Sequence, residues 1–163
     1  MLRKLGRAAR HSAVLAQAAL SRRRRKLVRQ MVTFSRSLPA RFDQPLPQMM
    51  AQLTPAAPLA GALPPNTVRR LADAVAAWHL RSPLGICLRR SLLRYHFLRQ
   101  AGLPVQIVFG ARLKPGAEGG GVGGHAWLTL HGHPYHEDPA DMRGFAEMFV
   151  YPPAPASNKP HHL

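Results

Sequence analysis

The chain has 163 residues, enough for one domain with its own core and too few for two, and its formal net charge is +16. Its single cysteine, Cys87, excludes an internal disulfide framework and a multi-cysteine zinc site and fits a reducing compartment. No apolar run approaches the roughly 20 residues of a membrane span, and the Arg22 to Lys26 block after the short Ala13 to Leu20 run excludes a secretory signal.

The charge is unevenly placed. No acidic residue precedes Asp43, whereas twelve of the 23 lysines and arginines do, from Arg3 to Arg41. Such a segment implies an acidic partner, whether nucleic acid, anionic lipid or an acidic protein, with a merely solvated basic surface as the bland alternative.

Leu2 to about Leu38 has helical periodicity, and the Arg22 to Arg25 run divides it into two helices. Pro39, Pro45 and Pro47 stop it. Pro39 to Pro65 reads as an extended connector with one short helix around Gln48 to Leu53. Asn66 or Thr67 can cap the next helix, which carries Val68, Leu71, Val75 and Trp78 on one stripe up to about His79.

Ser82-Pro83 reads as a restart, with Ser at the N-cap and Pro in the first turn. The helix it opens buries Leu84, Cys87, Leu88, Ser91, Leu92, Tyr95 and Leu98 and ends at Ala101-Gly102. The period then changes to two, and Pro104 to Arg112 is a strand. Gly116 to Gly124 holds six glycines in nine residues and is expected to be a mobile loop emptying onto His125. Ala126 to Leu130 and Pro134 to Asp138 are the next strands. Phe145 to Tyr151 is a fourth strand or a helical turn, and the tail from Pro152 is expected to be disordered.

The fold class expected is α+β, with N-terminal helices and a Cys-bearing helix packed on a small antiparallel sheet. The divisions are a basic helical and Pro-rich segment at 1–65, a core at 66–151 and a tail at 152–163.

Cys87 sits where the unpaired amides and dipole of a helix start favour a thiolate, with Arg89 and Arg90 adding positive charge. A thiol enzyme also needs an imidazole and a group that fixes its tautomer. If Gly132-His133 is a two-residue turn, Thr129 pairs with His136 and Trp127 with Asp138, which places His125 diagonal to Asp138 at roughly 7–8 Å. The expected catalytic set is therefore Cys87, His125 and Asp138. A turn one residue longer would present Glu137 instead, and Glu137 is the runner-up. His131, His133 and His136 flank the turn, but a polar hairpin tip is more often solvated than metal-binding. No cofactor or metal is expected, and the glycine loop lacks the Gly-Lys-Ser/Thr ending of a phosphate-binding loop.

These residues resemble a known family. Cys-Leu-Arg-Arg-Ser-Leu at a helix start, Ala-Gly-Leu-Pro-Val before a strand ending in Phe-Gly, then His-Ala-Trp-Leu and Gly, look like the lasso peptide biosynthesis B2 proteins, transglutaminase-like cysteine peptidases. The likeness is closest over residues 67–140, and Asp138-Pro139 looks like the Asp-Pro of the wider transglutaminase-like group. It implies a papain/transglutaminase-like fold and a cytoplasmic leader peptidase, associated at most with a membrane surface, in which Cys87 is the nucleophile, His125 the base and acid, and Asp138 the orienter. It further implies a precursor peptide substrate, a separate leader-recognition protein, since residues 1–65 show no succession of strands, and an ATP-dependent macrolactam synthetase. The competing readings are an acyl transferase using the same triad and a non-enzymatic module binding nucleic acid or an acidic protein. Against a single-strand binder stands the scarcity of aromatics before Trp78, where only Phe34 and Phe42 occur.

Overall fold

The computed structural model describes residues 2–78 and 82–153. Six α-helices run in the order α1 (Leu2–Ala19), α2 (Arg22–Ser37), α3 (Leu46–Leu53), α4 (Pro65–Trp78), α5 (Ile86–Gln100) and α6 (Pro139–Met142). Four strands, β1 (Gln106–Leu113), β2 (Val122–Leu130), β3 (His133–Pro134) and β4 (Ala146–Tyr151), form one antiparallel sheet in the order β3-β2-β1-β4. The α+β class expected from the sequence is the one observed.

The N-terminal helical stretch divides at Leu20 and Ser21, ahead of the arginine run. Ser21 has extended backbone angles and accepts the Arg24 amide, so it caps α2, and the four arginines form its first turn. One face of α2 sinks Met31 and Ser35, and Leu38 beyond it is fully buried. In the connector, α3 starts earlier than expected, at Leu46, and lays Met49, Met50 and Leu53 into the same core. Thr54 Oγ1 donates to the Met50 carbonyl, so the Tyr95 hydroxyl, 2.7 Å away, donates to it in turn.

Helix α5 is the centre of the molecule. The buried Leu92, Leu93, Tyr95 and Leu98 place it between α2 and α4 on one side and the sheet residues Ile107 and Leu128 on the other. This continuous cluster runs from Ala18 to Leu128, so α1 to α3 pack into the same core as α4, α5 and the sheet. His79 and the tail from 154 onward, for which a helix end and disorder were expected, lie outside the described residues.

Three local expectations are corrected. Ser82 does not cap α5. Its hydroxyl accepts the Leu84 amide in a turn of its own, and the helix begins after Gly85. Residues 114–121 are held by hydrogen bonds rather than featureless: Lys114 N–H bonds Gly121 O at 2.8 Å, Gly116–Glu118 is a 3-10 turn, and Arg112 pairs with Glu118. Gly119, Gly120 and Gly121 all have positive φ, which explains the glycine run, and β2 starts at Val122, three residues before His125.

The hairpin turn is His131-Gly132, both at positive φ, so Leu130 faces His133 and Thr129 faces Pro134. A two-residue turn of this type puts Gly in its second central position, where the expected turn had it in the first. Pairing ends soon after Pro134. Tyr135 N–H still reaches Leu128 O at 2.8 Å, but His136, with φ of 52°, turns the chain and removes the expected Trp127 to Asp138 pair.

Candidate active site

Cys87 is the second residue of α5. The N-cap is Gly85, which has no side chain to accept the first amides, and the first backbone bond inside the helix is from Arg89 N to Gly85 O at 3.1 Å. The Ile86, Cys87 and Leu88 amides therefore have no intrahelical acceptor. The two arginines next to the cysteine have different roles. Arg89 is buried and turned away, donating to Leu84 O at 3.1 Å and Ala76 O at 2.9 Å, so it ties the loop before α5 to α4. Burial lowers its pKa, which neither bond acceptor, a neutral carbonyl, offsets. Arg90 faces the site.

Cys87 and His125 line one cavity of about 510 Å³. Its floor includes Ala76, Ala77 and Ile86, Arg10 and His11 of α1 form another wall, and Asp141 of α6 completes the rim. Ile86 is 56% exposed, unusual for an isoleucine and consistent with an apolar shelf beside the thiol. Cys87 itself is half-buried.

His125 reaches this cavity because β2 is held in place from two sides. Ser91 of α5 donates to the Ala126 carbonyl at 2.7 Å, fixing the strand against the Cys-bearing helix. The His125 ring stacks on Trp127 at 5.8 Å and contacts Phe145 at 5.2 Å. Trp127 in turn lies over Gly110 of β1, where an added Cβ would come within 2.6 Å of the indole. The Phe-Gly at the end of the expected strand is thus the seat for the ring that braces His125. His125 Nε2 is buried and has no hydrogen-bond partner. Burial holds the imidazole pKa below its usual value, the Arg90 charge pushes the same way, and Asp141 opposes both.

The carboxylates fall into two groups. Asp138 is the N-cap of α6: its Oδ1 accepts the Ala140 amide at 2.9 Å, it is exposed, and it is not among the residues lining the cavity. Glu137 turns inward and its side chain is fully buried, accepting from Arg90 at 2.8 Å and Arg94 at 2.9 Å, with a longer contact to Leu128 N–H. Arg94 also bonds Asp73 through both Nε and Nη2. Burial works against the Arg94 charge, but Asp73 and Glu137 outweigh it and hold its pKa above the ordinary value. This network joins α4, α5 and the segment that leads into α6.

The structure thus brings Cys87 and His125 to one cavity and places Asp138 one helical turn from it. Of the two carboxylates it adds there, Asp73 and Asp141, neither was singled out in the sequence, and Asp141 is the one that acts on the His125 charge. The signal was available: Asp138-Pro139 is an N-cap followed by proline in the first turn, which places position 141 in the first turn of a helix. The parts played by Arg10, His11 and Asp73 had no local signal, because they depend on how α1 and α4 pack.

Cys87 at a helix start, lining one cavity with an imidazole, is an arrangement suited to forming and breaking a thioester. A sequence profile of the transglutaminase-like superfamily matches residues 2–150. No curated protein and no solved structure matches the chain. The match covers α1 to α6 and all four strands, N-terminal helices included, and its role fits cysteine peptidases and acyltransferases. The chain therefore belongs to the transglutaminase-like superfamily.

Proposed function

We propose that the chain is a cysteine endopeptidase that removes the leader from a ribosomally made lasso peptide precursor. The observation that carries the chemistry is the shared cavity of Cys87 and His125, with an unpartnered Nε2 in the imidazole. The Cys87 thiol passes its proton to His125 as sulfur adds to the scissile carbonyl. The amides of Ile86 and Cys87 stabilise the oxyanion. When the tetrahedral adduct collapses, the C–N bond breaks and the imidazolium gives its proton to the leaving amine, which leaves a thioester on Cys87. Water, deprotonated by His125, then adds to the thioester carbonyl, releasing the acid and restoring the thiol.

In this reading Asp138 acts through α6, whose N-cap it is, and Asp141 is the carboxylate that steadies the imidazole. No cofactor takes part. The resemblance in sequence supports the substrate class, and with it a separate leader-recognition protein and an ATP-dependent macrolactam synthetase as partners in the cytoplasm.

The test is incubation of the chain and its Cys87→Ala variant with a leader-bearing precursor, read by mass spectrometry. Two fragments from the native chain and none from the variant are expected. Cleavage by the variant overturns the assignment. An amine adduct in place of the hydrolysed acid would move the chain from hydrolase to acyl transferase with the same residues.

A further inference from the structure

We infer that a second site, a basic groove between α2 and α5, holds an acidic polypeptide segment bearing apolar side chains. Two cavities, of about 270 and 520 Å³, meet along this line and share Lys26, Gln30, Phe97 and Gln100. Their rims carry Arg23, Lys26, Arg29 and Arg41, and no carboxylate lines either one. Arg23 is tied to the Gly61 carbonyl, which fixes one end of the groove.

The floor is apolar and ordered. Phe97 is 4% exposed, Phe34 stacks on His96 at 4.4 Å, and Leu59 and Leu63 extend the floor toward the connector. Burial, with the Arg41 charge, lowers the His96 pKa, and with Nε2 accepting from Gln100 its Nδ1 donates to Leu53 O at 2.7 Å. The groove therefore offers cations at the edge and hydrocarbon beneath them, complementary to carboxylates alternating with apolar side chains.

The chemistry favours a polypeptide over the other polyanions. Phe97 is buried and one face of Phe34 is taken by His96, so the groove presents no free ring pair on which successive bases could stack. Leu59 is 54% exposed, but Phe97 is buried and Phe34 half-buried, so most of the apolar surface is recessed, whereas a lipid surface needs it outermost. Phe97 follows Cys87 by ten residues on the same helix, so the two sites are about 15 Å apart along its axis. A bound segment would thus leave Cys87 free, and about five extended residues would bridge the distance. The inference stands whether or not Cys87 is a nucleophile.

The experiment uses the full chain carrying Cys87→Ala and a fluorescein-labelled dodecapeptide of glutamates interrupted by leucines, read by fluorescence anisotropy. Lys26→Glu with Arg29→Glu should weaken binding at least tenfold. Arg70→Glu with Arg143→Glu, the same charge change at exposed positions off the groove, should alter it less than twofold. Gln30→Trp, which fills the groove without changing charge, should weaken it as the first pair does, and circular dichroism confirms that each variant folds. Replacing the leucines of the probe by serines should cost at least fivefold. Equal losses from both charge pairs, indifference to the leucines, no binding at all, or equally tight binding of oligothymidylate with the same mutational pattern would each overturn the proposal.

Discussion

In the proposed mechanism His125 carries the proton, and its environment sets its titration. Burial disfavours the imidazolium, the Arg90 charge disfavours it further, and Asp141 partly restores it. Because the folded pKa is depressed, the neutral ring contributes stability that is present above the unfolded-state pKa and is lost as pH falls through the folded value. Replacing Asp141 by Asn removes the only opposing charge in this set, so the His125 pKa should fall further still. An NMR titration of the His125 ring resonances reads this directly, and an unchanged or raised pKa would show that Asp141 does not act on the ring. In turnover, Asp141→Asn should cost at least about tenfold, within the loss expected of an unanchored imidazole. Asp138→Asn should cost less, because Asn also caps a helix. Gly110 makes a complementary case. A methyl there would lie 2.6 Å from Trp127 and 3.1 Å from the Ala146 carbonyl, so Gly110→Ala should destabilise by about 1–3 kcal/mol and displace the ring that His125 stacks on. Thermal melting and turnover should fall together, and a variant that keeps both would mean that the indole moves aside without consequence.

Among the elements, α5 does the positioning. It carries Cys87 in its first turn, Ser91 against β2, and Arg90 and Arg94 against Glu137. The sequence showed α5 and its cysteine clearly, because the apolar spacing and the terminal Ala101-Gly102 are local. Its true start was less legible: Ser82-Pro83 has the chemistry of a helix cap, but the chain spends it on a turn, and Arg89 then pulls the loop onto α4. The hairpin was legible in parity and not in register. A positive φ at His136 is set by tertiary fit, and it is what sends Glu137 inward to two arginines and leaves Asp138 at the surface. Glu137→Ala would strand the buried Arg94 half-paired, at a cost of about 3–5 kcal/mol. Urea unfolding at neutral pH checks this, and a loss below about 1 kcal/mol would mean that Asp73 alone satisfies Arg94. Glu137→Gln should cost less, since it keeps the volume and an acceptor oxygen.

At the scale of the whole molecule, the basic N-terminal segment and the core are one structure. Composition alone set residues 1–65 apart, because charge and proline content are visible along the chain and the burial of an α-helical face is not. Yet Ala18, Met31, Leu38, Met49, Met50 and Leu53 are each at most 2% exposed, and they share a cluster with Leu71, Leu92 and Leu98. The cations sit on the outward side of helices whose inward side is core, so the charge can be changed without the fold while the helices cannot be removed. Deleting residues 1–38 takes away α1 and α2 and exposes apolar faces of α4 and α5, each buried Leu or Met contact being worth roughly 1.5–3 kcal/mol. Losing the fully buried Met31 and Leu38 together with the half-buried Leu15, Leu27, Val28 and Phe34 that pack on the core is comparable with the net stability of an ordinary domain of about 5–15 kcal/mol, so the truncated chain should show no cooperative thermal transition by circular dichroism. By contrast, changing Arg22, Arg25 and Arg36 to Gln removes three exposed or half-exposed charges and should leave the transition in place. A truncated chain that still melts cooperatively would show that the chain from residue 39 onward is self-sufficient and that the first two helices are an addition to the transglutaminase-like fold rather than part of it.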